Sequence, residues 1–334
     1  MIMNNFFAQH LNPNLAHADV ERVPNRNGYG AGLKEAGERD VRVVALSADL
    51  TTSTKTDIFA NAFPDRFIQM GIGEQSMASV ASGMSAMGKI PFIASYAMFS
   101  PGRSWEQVRT TIAYNGSNVK IIGAHSGISV GPDGATHQAI EDMAIMRVIP
   151  RMVVIAPCDA EEARKATLAI AKYVGPVYMR LARDGTPLIT TSATPFEIGM
   201  AEIYAKRNPE HARKVGIIAT GTILYEALLA GNILNEKGIG ASVLHMATVK
   251  PLDTSALLAF AKEHEVIVTV EEHQRMGGLG GAVSEYLSLT FPRRVLRLGI
   301  DDVFGQSGTS AELLAHYNID SVSIVREVQK YIDA

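Results

Sequence analysis

The sequence has one cysteine, Cys158, among 334 residues. One thiol cannot close an internal disulfide or build a cysteine-based metal cage, so folds stapled by either are excluded. A reducing, cytoplasmic setting fits that usage. No apolar run reaches the roughly 18 residues that a membrane helix needs. Met1 to Asn14 lack the charged start and apolar centre of a secretory leader, and the first 20 or so residues read as an arm packed on something else or a disordered leader. No block of Lys and Arg is present, and a formal net charge of -3 gives no basic footprint for nucleic acid. Repeats and low-complexity tracts are also missing. What remains is ordinary globular composition, 47% hydrophobic and 19% charged, in a chain long enough for more than one domain.

Short apolar runs alternate with helical patterns, which predicts α/β architecture built on two open, mostly parallel sheets. In the first half the spacing predicts strands at Val41–Ser47, Phe67–Gly71, Pro91–Ser95, Val119–Gly123, Met152–Ala156 and Val177–Arg180. Between them it predicts helices near Tyr29–Ala36, Glu74–Gly88, Arg103–Tyr114, Gln138–Arg147 and Ala160–Tyr173. Residues 1–20 form the arm, 21–184 the first domain and 185–213 a linker with a short hairpin. Residues 214–334 form a second α/β domain, with strands at 215–220, 241–245, 266–271 and 294–298. Ligands of open parallel sheets bind at the carboxyl ends of strands, where Glu74, His125 to His137 and Arg183 all fall.

Glu74 ends a predicted strand in Gly71-Ile72-Gly73-Glu74-Gln75-Ser76-Met77 and opens a helix of small and apolar side chains. A lone carboxyl in such a wall is expected to have its charged form disfavoured, hence a raised pKa suited to proton sharing. The alternative is a helix-start carboxylate that complements the macrodipole. The segment His125-Ser126-Gly127 to Gly131-Pro132-Asp133-Gly134-Ala135-Thr136-His137 is a glycine-rich loop with two histidines and an aspartate, groups able to hold hydroxyls. Its structural alternative is an Asx turn at Asp133, with Thr136 capping the next helix. Spacing of the two histidines matches no standard metal motif, so no metal is assigned to this chain. Arg26, Arg180 and Arg183 are candidate phosphate ligands, although any single Arg is more simply a surface ion pair. Tyr96 and Phe99 taken alone read as core aromatics. Gly277-Gly278-Leu279-Gly280-Gly281 reads as a tight strand-to-helix turn, and His273 beside it as structural.

Taken together, these segments resemble the C-terminal half of transketolase, above all the smaller subunit of split bacterial and archaeal transketolases. The resemblance spans roughly residues 20 to 330. It is carried by Ser47-Ala48-Asp49-Leu50, Phe63-Pro64-Asp65-Arg66-Phe67, Gly71 to Met77, Gly131 to Gln138, Val249-Lys250-Pro251-Leu252-Asp253 and Phe304-Gly305-Gln306-Ser307-Gly308. It implies a domain that binds the aminopyrimidine of thiamine diphosphate, with Glu74 bonding ring nitrogen N1′. Tyr96 and Phe99 would pack on the ring, and Asp49 and Leu50 would approach the cofactor across an interface. His137 and Asp133 would hold sugar hydroxyls; Arg26, Ser53, His125 and Arg183 would receive a phosphate. The implied reaction moves a two-carbon ketol unit from a ketose phosphate to an aldose, with the cofactor as electron sink.

The Gly-Asp-Gly motif followed by Asn, which grips the diphosphate through a divalent metal in that family, does not occur in the sequence. The resemblance therefore implies an N-terminal partner subunit carrying the diphosphate half and its Mg²⁺ or Ca²⁺, in an α2β2 assembly. The small residues Ser76, Ala78, Ser79, Ala81, Ser82, Gly83, Ser85 and Ala86 allow close helix contact at such an interface, or equally inside one core. Three other readings stand beside it. The Arg180-Leu181-Ala182-Arg183 pair leans toward a 1-deoxy-D-xylulose-5-phosphate synthase-like subunit. A 2-oxo acid dehydrogenase beta subunit shares the domain order but not the Asp133/His137 loop. A catalytically silent subunit would complete a partner's fold.

Overall fold

The computed structural model describes residues 6–333. Strands covered on both faces are mostly apolar, and any polar side chain they carry needs a partner. Val43–Ser47, Lys120–Ala124 and Val177–Arg180 are buried at every position. They lie in a seven-stranded sheet ordered 248–250, 153–155, 177–180, 120–124, 90–96, 43–47, 67–69. All its neighbours run parallel except the 248–250 edge. A five-stranded sheet follows the order 295–300, 266–274, 214–219, 240–245, 202–205, antiparallel only at the last pair. No helix among the described residues is long and apolar enough to cross a membrane.

Helices Asn25–Arg39 and Ala160–Lys172 pack on one face of the larger sheet, with Tyr29, Leu33, Ala163 and Ile170 inside that core. Glu74–Ala86 lies on the other face, where Met77, Ala78 and Ala81 meet Val44, Leu46 and Ile93. The described part of the arm crosses to the smaller sheet. Phe6, Leu11, Leu15 and Val20 share an apolar cluster with Val215, Ile217, Leu228 and Val243.

Four local expectations are corrected. The segment 185–213 contains no hairpin: Gly185–Pro187 pairs with Arg22–Pro24, and Glu202–Ala205 pairs with Gly240–His245. Each half of the supposed hairpin found a longer-range partner. The helix expected from Gln138 starts only at Asp142. Ala139 forms a bridge with Ser126 and its carbonyl accepts the Gly127 N–H at 2.8 Å, which closes the loop and holds 138–141 out of helical conformation. Thr136 consequently caps nothing; its hydroxyl lies 2.9 Å from His137 Nδ1. The helix expected over 103–114 is a short α-turn at 105–107 that continues in π-helical register over 108–114.

Buried polar pairs join the two sheets. Arg180 is not a phosphate ligand: its Nε donates to Asp142 at 3.0 Å, and its two Nη atoms donate to the Glu272 and Ala139 carbonyls. Tyr178 donates to the same carboxylate at 2.6 Å. Burial works against the charges of Glu162 and His245, but their mutual attraction across 2.8 Å outweighs it, holding Glu162 below and His245 above its ordinary range. Arg180→Met would strand the Asp142 charge in the core. It is expected to lower stability by about 3–5 kcal/mol, read as a lowered urea midpoint with an unchanged slope.

Candidate active site

The carboxyl edge of the larger sheet gathers most of the candidate residues, because parallel strands all end on the same side. Tyr96 ends the 90–96 strand, His125 follows 120–124, Asp49 and Leu50 follow 43–47, and Arg183 follows 177–180. Glu74 opens its helix five residues beyond the end of the strand at 67–69.

Several of these groups make direct contact. The Tyr96 ring stacks on His125 with centroids 3.9 Å apart. His137 meets Phe99 edge-on at 5.5 Å and Tyr96 at 6.2 Å. Arg26 Nη1 donates to the Ser53 carbonyl at 2.9 Å and lies 3.0 Å from His125 Nε2. Arg183 donates to the Val130 carbonyl at 2.7 Å, tying the 177–180 strand end to the glycine-rich loop. Burial, with help from the nearby Arg26, Arg183 and His137, pushes the His125 imidazole down to about 3. It is therefore neutral at physiological pH. Arg26 is held below its usual range by burial first, and further by the neighbouring Arg183 charge. Two guanidinium groups and a neutral imidazole thus share one half-buried corner, with N–H donors of the kind an anion accepts.

Glu74 is only 1% exposed. The expectation of a lone carboxyl is corrected. Arg103 Nη1 donates to Glu74 Oε2 at 2.7 Å, and Ser95 donates its hydroxyl to Oε1 at 3.2 Å. Arg103 was not singled out from the sequence, though its place four residues after Phe99, on the turn that follows the strand, was the available signal. Its guanidinium carbon sits 4.7 Å from the Phe99 ring centroid. A flat group carrying N–H donors thus bonds Glu74 while lying over Phe99.

Not every candidate is joined. Asp133 is exposed in the glycine-rich loop. Asp49 adopts φ +58° and its N–H donates to Gln69 Oε1 at 2.9 Å, on the open side of the sheet edge. The Leu50 carbonyl accepts the Thr54 N–H, which fixes the turn carrying Ser53. The 277–281 glycine turn holds no free anion site, because the Glu271 carboxylate already accepts the N–H groups of Leu279 and Gly280 at 2.7 and 2.8 Å. His273 beside it is buried and bonded to the Gln274 carbonyl, a structural role.

Among the described residues, the group with metal-ligand chemistry is Cys158, Glu162 and His245, buried between the two sheets. Glu162 is committed there to the Cys158 N–H at 2.7 Å and to His245, so the cluster acts as a helix cap and bolt remote from the cleft.

Residues 21–187 match the model of the transketolase pyrimidine binding domain, and residues 204–324 that of the transketolase C-terminal domain. A Methanocaldococcus jannaschii protein provisionally named as a transketolase C-terminal section is 45% identical, over 91% of this chain and 95% of its own. The chain belongs to the transketolase family. A 6-deoxy-6-sulfo-D-fructose transketolase subunit of a Clostridium species is 39% identical over 90% of this chain and 92% of its own. A solved split-gene transketolase, described as an inactive beta4 tetramer, superposes with a TM-score of 0.84 at 42% identity, covering 92% of this chain and 98% of that one. Transketolases use thiamine diphosphate, and the residues here fit one half of it. The buried Glu74 carboxylate and the Phe99 face suit the aminopyrimidine, whereas the described residues carry no donor set at this cleft for a metal-bound diphosphate.

Proposed function

We propose that this chain is the pyrimidine-binding subunit of a two-subunit transketolase that moves a ketol unit from a ketose phosphate to an aldose. The observation that carries the reading is a buried carboxyl, Glu74, lying against Phe99 through a shared guanidinium, with the His125/His137 loop on the same sheet edge. When bound, thiamine diphosphate supplies an electron sink for carbon–carbon cleavage. Glu74 would share a proton with ring nitrogen N1′, and Phe99 and Tyr96 would pack on the ring. Arg103 swings out toward solvent, where its side chain is already 46% exposed, and surrenders the Glu74 oxygen. Asp49 and Leu50 approach the cofactor from the rim. His137 and Asp133 hold sugar hydroxyls and position the reacting carbonyl. Arg26, Ser53, His125 and Arg183 receive the phosphate.

The partner subunit holds the diphosphate with Mg²⁺ or Ca²⁺, and two copies of each chain assemble as α2β2 with active sites at the seams. The solved relative described as an inactive beta4 tetramer supports that dependence. The sulfosugar relative supports an acidic group at the end of the donor sugar, since a sulfonate and a phosphate make the same demand on guanidinium groups. Arg180 is bound to Asp142, so of that Arg-x-x-Arg pair Arg183 is the one left to receive a phosphate.

Co-expression with the neighbouring gene, followed by a ketol-transfer assay, tests the reading; a purified pair that binds cofactor yet moves no ketol unit refutes it. The pH dependence tests His125. Because its imidazole stays neutral from pH 5 to 8, KM for a phosphorylated donor is expected to show no limb in that range that His125→Asn removes. His125→Ala is expected to raise that KM about ten-fold by removing one hydrogen-bond partner in a half-dry corner.

A further inference from the structure

The loop that would grip the sugar is shaped by the other domain. Glu272 lies on the 266–274 strand of the smaller sheet, 5% exposed, and reaches across the seam. Its Oε1 accepts the backbone N–H of Ser129 in the middle of the His125–His137 loop. Its Oε2 lies 3.5 Å from the Thr222 hydroxyl, and its own carbonyl accepts both Arg180 Nη atoms. Gly127 makes room for this contact: a Cβ there would lie 2.3 Å from Glu272 Oε1, and its φ of +81° favours glycine. The smaller domain touches the loop again at 304–310. Gln138 Nε2 donates to the Gln306 carbonyl at 2.9 Å, and a Cβ on Gly134 or Gly131 would press on Ser307 or on the Gly308 carbonyl. Loop glycines therefore face the second domain at three points, and among the described residues of that domain Glu272 is the one that offers a side-chain acceptor to the loop backbone.

We infer that Glu272 is a positioning residue for sugar binding, fixing the backbone between His125 and Asp133 through the Ser129 N–H. The inference rests on the functional reading above. Glu272 touches neither sugar nor cofactor; it sets where Asp133 and His137 stand relative to Arg183 and Phe99. The requirement is for an acceptor oxygen, so an amide in place of the carboxyl preserves it. Removing the side chain leaves Ser129 N–H buried without a partner and enlarges a cavity of about 60 Å³ already present between Thr222, Ser310 and Glu272.

The test uses the complex with the diphosphate-binding partner. Glu272→Ala is expected to raise KM for the donor ketose phosphate about ten-fold while kcat and the cofactor activation constant change less than about three-fold. Glu272→Gln is expected to stay within about two-fold of the parent, and Glu272→Asp, one methylene short of Ser129, to fall between. Amide hydrogen exchange over 126–138, which needs no turnover, is expected to accelerate in the Ala variant and not in the Gln variant. A donor KM that does not move in an active Ala variant overturns the inference, as does parallel drift of KM and the cofactor constant, or unchanged exchange. A silent parent complex counts against the proposed reaction, and the exchange result then decides the positioning role alone. Should the Ala variant not assemble, the Asp and Gln variants carry both readouts.

Discussion

Glu74→Ala in the assembled complex is expected to lose about 10²- to 10⁴-fold in kcat, the range set by removal of a positioned proton-transfer partner. The size of the effect follows from burial. At 1% exposure, no water can take over the role of the carboxyl, and its neighbours are Ser95, a hydroxyl, and Arg103, a permanent cation. Neither can accept a proton from a ring nitrogen at neutral pH. Glu74→Gln keeps the shape and the Ser95 contact, yet it is expected to be nearly as impaired, because an amide oxygen cannot share a proton. The measurement is steady-state ketol transfer at saturating cofactor. The loss should fall on kcat and leave donor KM within a few-fold, since the groups proposed to bind the donor, His137, Arg26 and Arg183, are untouched. Full turnover in the Ala variant would remove Glu74 from the chemistry.

The second large effect concerns the chain by itself. Isothermal calorimetry of the purified subunit with thiamine diphosphate and Mg²⁺ is expected to give no saturable heat, and ketol transfer should be at background. Addition of the diphosphate-binding subunit restores both. The reason is chemical. A diphosphate held through a divalent ion needs hard oxygen donors converging on one point. The site instead presents Arg26, Arg183, a neutral His125 and one buried carboxylate already engaged by Arg103, while Asp49 and Asp133 are exposed and belong to no cluster of ligand atoms among the described residues. The cluster of Cys158, Glu162 and His245 has donor atoms close together, but it is buried between the sheets and occupied by its own ion pair. Tight cofactor binding by the single chain would overturn the two-subunit arrangement.

Much of the site was legible because its chemistry sits in contiguous segments. A carboxylate before a helix of small residues, and two histidines around a Gly-Pro-Asp-Gly turn, can be read without knowing which strands pair. The strand ends follow from the same local periodicity, and all parallel strands of one sheet share an edge. Three features were not legible. Arg103 reaches Glu74 across 29 residues, and Glu272 reaches Ser129 across 143. Arg180, read as a phosphate candidate, is consumed by Asp142 from another segment. An arginine or glutamate looks alike in sequence whether its partner is a ligand, water or another side chain.

The order of strands and helices, the glycine turns and the types of side chain available at each strand end were determined by the amino-acid sequence, because they depend on neighbours within a few positions. Pairing across long separations was decided only in three dimensions. Thr248–Lys250 joins the larger sheet, Glu202–Ala205 closes the smaller one, and the second domain supplies an oxygen that holds the glycine-rich loop. Such contacts depend on which unpaired backbone groups and buried charges remain once the local elements have formed, and that remainder is a property of the whole packed chain.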